Sequence, residues 1–196
     1  MAQRVVIIGA GGHGKVVADI VRACGDAVVG FLDDEPGKEN VLGPVSSARN
    51  YSDCCFVIAI GSNETRKRLA DALSVSWYTA IHPTAVISPS ASVGAGTVVM
   101  ANAVVNAEAV IGAHCIVNTA AVVEHENVLA DFVHISPNAA LGGNVHVGEC
   151  AHVGIGASVK NNVSICGGCT IGAGAAVVKD IDTAGTYVGV PARELK

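Results

Sequence analysis

Aromatic side chains are scarce in this sequence, with three Phe, three Tyr and one Trp among 196 residues. A core built on large rings is thereby excluded, and the interior has to be filled by small and branched aliphatics. Charge is sparse too: Asp, Glu, Lys and Arg make up 15%, the formal net charge is −5, and no basic cluster occurs. That balance argues against nucleic acid or a membrane surface as the main partner. Long apolar runs are missing. The first ten residues hold one Arg and a short run, Val5–Ile8, ahead of Gly9, too short for a signal sequence or a spanning helix. A cytoplasmic protein without membrane insertion is expected. The seven cysteines are odd in number and dispersed, so no disulfide framework is expected. Cys166–Gly–Gly–Cys169 is the one Cys-x-x-Cys, and a metal or redox role for it is weighed below an inward stacking role for Cys169. No metal site is expected.

What is present is a repeat. Cut into sixes from Ala85, the chain places Ile, Val or Leu at the third position of every six from Ile87 to Val177. The first position is Ala, Val, Cys or Thr from Ala85 to Ala175, with one departure at Asn127. A period of six fits neither an α-helix nor a hairpin ladder. It fits a hexapeptide β-helix, in which three short strands make one triangular turn and equivalent side chains stack eighteen residues apart. The right-handed rule for parallel crossovers would argue against a left-handed coil, so handedness does not follow from the repeat alone.

Ahead of the repeat, Arg4–Ile8 reads as a buried parallel strand, Lys15–Cys24 as a helix stopped by Gly25, and Ala27–Leu32 as a second strand. Glu35–Asn50 reads as loop with little regular structure, Cys54–Ile60 as a third strand, Asn63–Leu73 as a helix capped by Ser62 or Asn63, and Val75–Ala80 as a last short strand. The fold class is therefore an α/β Rossmann-like half-domain over residues 1–80 followed by an all-β parallel β-helix over 81–184. Residues 185–196 form a cap over the open strand edges.

Gly9-x-Gly11-x-x-Gly14 follows a strand and opens a helix, and Asp33–Asp34 lies about twenty residues on, which is the dinucleotide-binding arrangement. One half-unit is too short for a complete dinucleotide site. A nucleotide phosphate at the helix start, with His13 facing it and Asp33 and Asp34 accepting from sugar or ribose hydroxyls, is one reading; a tight structural turn and a solvated strand end is the other. In the repeat, His134, His146 and His152 occupy the outward second place. His134 and His152 stack one turn apart, and His146 and His152 read as surface. His125 is at the fifth place, near a corner, between Glu124 and Glu126. An imidazole with a neighbouring acid is the minimal general base, although sequence does not say which Glu pairs with it.

The chain resembles the hexapeptide acyltransferases that modify sugars, specifically the PglD-like sugar-nucleotide N-acetyltransferases and NeuD-like sialic acid O-acetyltransferases. Six ordered motifs carry the resemblance: Ile8–Gly14, Phe31–Asp34, Ala59–Glu64, Ile81–Pro83, Val123–Glu126 with Asp131–Ile135, and Val188–Arg193. It implies a left-handed β-helix, a homotrimer with sites in the grooves between subunits, and acetyl-CoA as co-substrate, whose phosphates need only a few local Lys or Arg. It also implies roles: His125 as base, Glu126 raising its basicity, the Gly143 amide as oxyanion donor, His134, Ile155 and Ala173 around acetyl-CoA, and Gly11, Gly12, His13, Asp33, Asp34 and Gly61 around a nucleotide sugar. Gly143 lies eighteen residues after His125, so the register stacks the two independently of the resemblance. The expected reaction is N-acetylation of a UDP-linked 4-amino sugar by direct transfer, with O-acetylation of sialic acid or another sugar hydroxyl as the alternative. Asn127–Ala130 departs from the family pattern beside the base. A nucleotide-binding sensor on an inert β-helix scaffold and a nicotinamide-dependent oxidoreductase are the readings from other classes.

Overall fold

The computed structural model describes residues 2–35 and 37–195; Met1, Pro36 and Lys196, which fall in the segments read above as half-domain, loop and cap, lie outside the described residues. The small domain is a parallel four-stranded sheet of order β3-β2-β1-β4, made of β1 (Arg4–Ile8), β2 (Ala27–Leu32), β3 (Val41–Gly43) and β4 (Cys55–Ile58). Helix α1 (Gly12–Ala23) begins inside the glycine motif, earlier than the sequence pattern suggests, and Gly25 in the left-handed region ends it as expected. Helix α2 (Asn63–Ala72) is capped by Ser62, whose Oγ accepts the Thr65 amide at 3.3 Å.

Two expectations are corrected here. The segment Glu35–Asn50 is not plain loop. Val41–Gly43 pairs with Phe31–Leu32, and a 3₁₀ turn runs from Val45 to Tyr51. Leu42 fills the space above Gly30, where any side chain would lie 2.7 Å from Leu42 Cγ, a tertiary fit no local pattern reveals. Val75–Ala80 forms no strand of the small sheet beyond a single bridge between Trp77 and Phe56. Ala80–Ile81 instead pairs with Val98–Val99, so pairing in the solenoid starts one strand ahead of Val86.

The solenoid is a triangular prism with three parallel faces. The first carries Ala80–Ile81, Val98–Val99, Ile116–Val117, His134–Ile135, His152–Val153 and Thr170–Ile171. The second carries the strands from Val86–Ile87 to Ala176–Val177, and the third those from Ser92–Val93 to Ser164–Ile165. The register is eighteen residues throughout, for example Ile116↔His134↔His152. From Thr97 to Val177 every first- and third-place residue is 4% exposed or less, so the inward reading holds at each position. Cys169 is among them, in register with Cys115, and all seven cysteines are free thiols.

Corner residues at the sixth place adopt the left-handed region even without glycine, as in His114 (φ 52°), Glu126 (φ 60°) and Asn144 (φ 55°). Each such residue costs roughly 1 kcal/mol, offset by buried Val and Ile worth about 1.5–3 kcal/mol apiece. After the last turn, Thr186–Val188 adds to the first face and Arg193–Glu194 folds back antiparallel onto it, covering part of the open end.

The small domain docks on the first face and on the corner between the third and first faces. Val17, Ala18 and Val21 of α1 share a core with Val98, Met100 and Ile116. From α2, the fully buried Arg66 donates to the carbonyls of His114 (2.6 Å), Phe132 (2.8 Å) and Ile60 (2.9 Å) and to Asn63 Oδ1 (2.7 Å). Asn63 in turn donates to the Cys150 carbonyl at 2.8 Å. A buried guanidinium satisfied by carbonyls fixes the docking angle. Among the described residues no helix is long and apolar enough to cross a membrane.

Candidate active site

The strand Val122–Val123 of the second face runs into the corner that holds Glu124, His125 and Glu126. The corner is braced by Asn127, the one break in the first-place pattern. Its fully buried amide donates to the Glu124 carbonyl at 2.7 Å and accepts from the Val145 amide at 2.6 Å. Thr97 does the same elsewhere, donating to the Gly112 carbonyl and accepting from Cys115. Polar residues are thus admitted to the column only where they satisfy corner backbone.

His125 Nδ1 lies 2.9 Å from Glu126 Oε2, whereas Glu124 Oε2 accepts the backbone amide of His125 at 3.3 Å. Glu126 is therefore the ring's partner. A carboxylate can only accept, so it holds the proton on Nδ1 and leaves the Nε2 lone pair outward. Both side chains are 57% exposed. One turn on, a Cβ at Gly143 would sit 2.5 Å from both Cε1 and Nε2 of His125. Only glycine lets the ring lie across that backbone. The Gly143 amide donates no hydrogen bond among the described residues.

The glycine motif divides into two kinds of glycine. A Cβ on Gly14 would meet the Gly9 carbonyl at 2.1 Å, and Gly9 itself has φ 106°, so these two build the turn. Gly11, Gly12 and Gly61 face open space with nothing within 4 Å of an added Cβ. They border a cavity of about 470 Å³ lined also by His13, Asp33, Asp34, Thr65 and Arg68. The N-terminal amides of α1 open beside it. Asp33 is heavily engaged: its oxygens accept from the amides of Ala10 (2.7 Å) and Glu35 (2.9 Å) and from Lys38 Nζ (2.9 Å). Burial opposes its ionisation, but the Ala10 amide, Lys38 and the Glu35 amide outweigh it and hold the carboxyl below the usual range. Asp34 accepts the Val45 amide at 2.9 Å through Oδ1 only.

Two half-buried imidazoles stand one turn apart on the first face of the prism. His134 and His152 stack with ring centroids 4.6 Å apart and planes within 8°. His134 Nε2 faces Asn118 Nδ2 at 3.1 Å, and His152 Nε2 faces Ser136 Oγ at 2.7 Å. Burial, then the charge of Arg66, lowers His13 to about 4. Burial, then His152 and Arg66, lowers His134 to about 3. The surface reading of His152 is thereby corrected: it is half-buried and bonded, because the docked domain closes over the first face. His146 is exposed, as expected.

The structure gathers the expected residues into three groups. Gly11, Gly12, His13, Asp33, Asp34 and Gly61 surround the cavity of the small domain, and His134 stands on the first face of the prism. Ile155 and Ala173, exposed one turn apart, lie at the next corner, between the first and second faces. His125, Glu126 and Gly143 stand at the corner between the second and third faces, across the prism from the docked domain. Sequence reading missed Arg66, whose partners are set by domain docking, and Asn118 and Ser136, one turn apart in the solenoid, each of which meets a histidine sixteen residues on. Among the described residues no group of three or more His, Cys, Asp or Glu is arranged to hold a metal ion.

Comparison with known proteins agrees with this architecture. Residues 4–73 match the PglD N-terminal domain family. UDP-N-acetylbacillosamine N-acetyltransferase of Bacillus subtilis is 46% identical over 107 residues, covering 48% of this chain and 50% of that protein, so the match spans about half the length of this curated relative. The acetyltransferase domain of PglB from Neisseria gonorrhoeae FA1090, solved in complex with acetyl coenzyme A, superposes with TM-score 0.94 at 41% identity over 100% of both chains. PerB from Caulobacter crescentus, in complex with CoA and GDP-perosamine, gives TM-score 0.93 at 38% identity over 100% of this chain and 99% of that one. The solenoid of about six turns is of the left-handed kind.

Proposed function

We propose a reaction from one premise: this chain belongs to the family of sugar N-acetyltransferases represented by the gonococcal PglB domain and PerB. The reaction is acetyl-CoA-dependent N-acetylation of a nucleotide-linked amino sugar, with a UDP-linked 4-amino-4,6-dideoxy sugar as the specific acceptor. The observation that carries it is the ring of His125, fixed by Glu126 at 2.9 Å and seated on Gly143.

In this reading Nε2 of His125 takes a proton from the acceptor nitrogen as it attacks the thioester carbonyl. The Gly143 amide donates to the oxyanion. Collapse forms the C–N bond and breaks the C–S bond, and the departing thiolate takes the proton back from His125. Glu126 remains ionised and stabilises the imidazolium. No thiol or hydroxyl stands in register beside His125, which supports direct transfer in a ternary complex over an acyl-enzyme.

The corner also favours an amine over sialic acid. Glu108, Glu124 and Glu126 crowd this corner, and no Lys or Arg occurs between Arg68 and Lys160. An ammonium is attracted there and a sialic acid carboxylate repelled, by about 1 kcal/mol per exposed pair.

The base and the cavity lie on opposite sides of one prism, so a complete site needs the cavity of one copy beside the corner of another. A homotrimer with three shared sites satisfies this. The test is thiol release from acetyl-CoA with UDP-4-amino sugars, GDP-perosamine and sialic acid. Turnover confined to amino sugars is expected; turnover confined to sialic acid would overturn the reading. For the shared site, His125→Ala and Gly11→Trp chains, each inactive alone, regain activity when refolded together; no recovery would place the whole site in one chain.

A further inference from the structure

At the corner between the third and first faces, the fourth-place column reads Gly94, Gly112, Ala130, Gly148 and Cys166. Small residues stand there because the next turn lies directly above: a Cβ on Gly94 would come 2.5 Å from the Gly112 carbonyl carbon, and one on Gly112 would come 2.7 Å from that of Ala130. Above Cys166 no further hexapeptide turn is stacked. The chain there is the link to the cap, held by the bridge Ile165↔Ile181 and by the Cys166 amide, which donates to the Ile181 carbonyl at 2.9 Å. The last corner therefore has room for a side chain, and the side chain is a thiol. It packs on the solenoid core, with its Sγ 3.1 Å from that of Cys169, the inward first-place residue that is 1% exposed. The two are the ends of the turn Cys166–Gly167–Gly168–Cys169, in which Gly168 has φ 69°. Four-residue turns bring their end Cα atoms within about 7 Å, which overlaps the span a disulfide bridges. The Cys169 thiol also lies 3.5 Å from the Thr183 carbonyl, which accepts the Tyr187 hydroxyl at 2.9 Å. Elsewhere among the described residues thiols turn to oxygen: Cys24 and Cys115 to carbonyls, Cys54 to Asp53 and Cys55 to Gln3. Inward stacking accounts for Cys169, as for Cys115; it does not account for a second sulfur at a fourth place.

We infer that Cys166 and Cys169 form a reversible disulfide when a hydroperoxide reaches this turn, which makes the base of the cap a site of redox modification. The order of events follows from exposure. Cys166 is half-buried beside two exposed glycines, whereas burial and then the neighbouring sulfur push the Cys169 thiol up to about 12, so Cys166 reacts first. Its thiolate attacks one peroxide oxygen: the S–O bond forms, the O–O bond breaks, and the other oxygen leaves and is protonated to water. The Cys169 sulfur then attacks the Cys166 sulfur. The S–S bond forms, the S–O bond breaks, and the hydroxyl departs as a second water with the proton of Cys169. The two thiols together lose two electrons and the peroxide gains them. Gly167 and Gly168 leave the turn pliable enough for the sulfurs to close the remaining distance of roughly 1 Å. Closure withdraws the Cys169 donor from the Thr183 carbonyl and leaves the Tyr187 hydroxyl on it. Where the surroundings are reducing, thiol exchange reopens the bond, so the modification reports oxidant rather than stapling the fold permanently.

The test is titration of the reduced, full-length protein with hydrogen peroxide, followed by alkylation of the remaining thiols, tryptic digestion and mass spectrometry. Cleavage after Lys160 and Lys179 puts Cys166 and Cys169, and no other cysteine, in the peptide Asn161–Lys179. This peptide is expected to lose both alkylation sites together, to weigh two hydrogens less than its reduced form, and to regain both sites after dithiothreitol. In Cys166→Ala, which puts at this corner the residue that Ala130 shows it accepts, Cys169 is expected to remain alkylated at the same dose of peroxide. Two alkyl groups on the wild-type peptide at a dose that oxidises the exposed Cys24 overturn the inference. So does a sulfinic or sulfonic acid at Cys166 with Cys169 still alkylated, and so does a disulfide that joins either residue to a cysteine of another peptide.

Discussion

Two corners of the same solenoid carry a histidine laid over a glycine one turn away. At one, a Cβ on Gly96 would lie 2.4 Å from the His114 ring; at the other, a Cβ on Gly143 would lie 2.5 Å from His125. The two pairs differ in place, His114 and Gly96 at the sixth with positive φ and His125 and Gly143 at the fifth without it, and they differ in what covers each corner. His114 is buried in a stack, 5.3 Å from the Phe132 ring and edge-on to Trp77 at 4.6 Å, beneath α2. Burial and then the Arg66 charge keep its pKa low. His125 faces solvent, with a carboxylate on Nδ1 and Nε2 open. A repeat sets where a side chain points, and the domain docked on it decides whether that position becomes core or chemistry.

The largest effect that breaks this comparison is expected at the bare corner. His125→Ala should lower kcat in the thiol-release assay by about 10²–10⁴-fold while leaving the melting temperature within a few degrees. Gly143→Ala should approach the same loss by displacing the ring. At the covered corner the loss falls on stability. Arg66→Met strands the carbonyls of His114, Phe132 and Ile60 and should cost at least about 3 kcal/mol in denaturant titration.

Asn127→Ala lies between the two cases. It removes the brace from the His125 corner, and about 1–3 kcal/mol is expected in urea unfolding, together with a partial loss of kcat. Asn127→Asp, which keeps the acceptor for Val145, should recover part of each.

The smallest effect separates the corners by pH. His13, His114, His134 and His152 all have folded pKa values below 6.5. Below pH 6.5 the unfolded chain takes up these protons more readily than the folded one, so stability is full above that pH and falls as pH drops, through a window that reaches about 4 for His13 and about 3 for His134. Each group still neutral in the fold loses up to about 1.4 kcal/mol per pH unit. Melting temperatures measured from pH 7 to 4.5 should decline, and His114→Phe should make the decline shallower.

Much of the site was legible because the six-residue period is local. It assigned inward and outward places correctly along the solenoid, marked Asn127 as an anomaly and stacked Gly143 on His125. The glycine motif likewise announced a strand–turn–helix, although both its helix start and the β3 pairing escaped a local reading. His152 shows the limit: its second-place position reads as surface, and only the docked domain makes it interior.

What the sequence alone determined is direction, since alternation and turn period are properties of the backbone repeated every few residues. What only the tertiary structure decided is company: Glu126 rather than Glu124 on the His125 ring, Asp33 taken up by Ala10, Glu35 and Lys38, and Arg66 threading carbonyls from two domains. The Arg66 pairings depend on residues far apart in the chain meeting at an angle that hydrophobic docking sets, and the local ones on the folded backbone of a corner or strand end, neither of which a short pattern encodes.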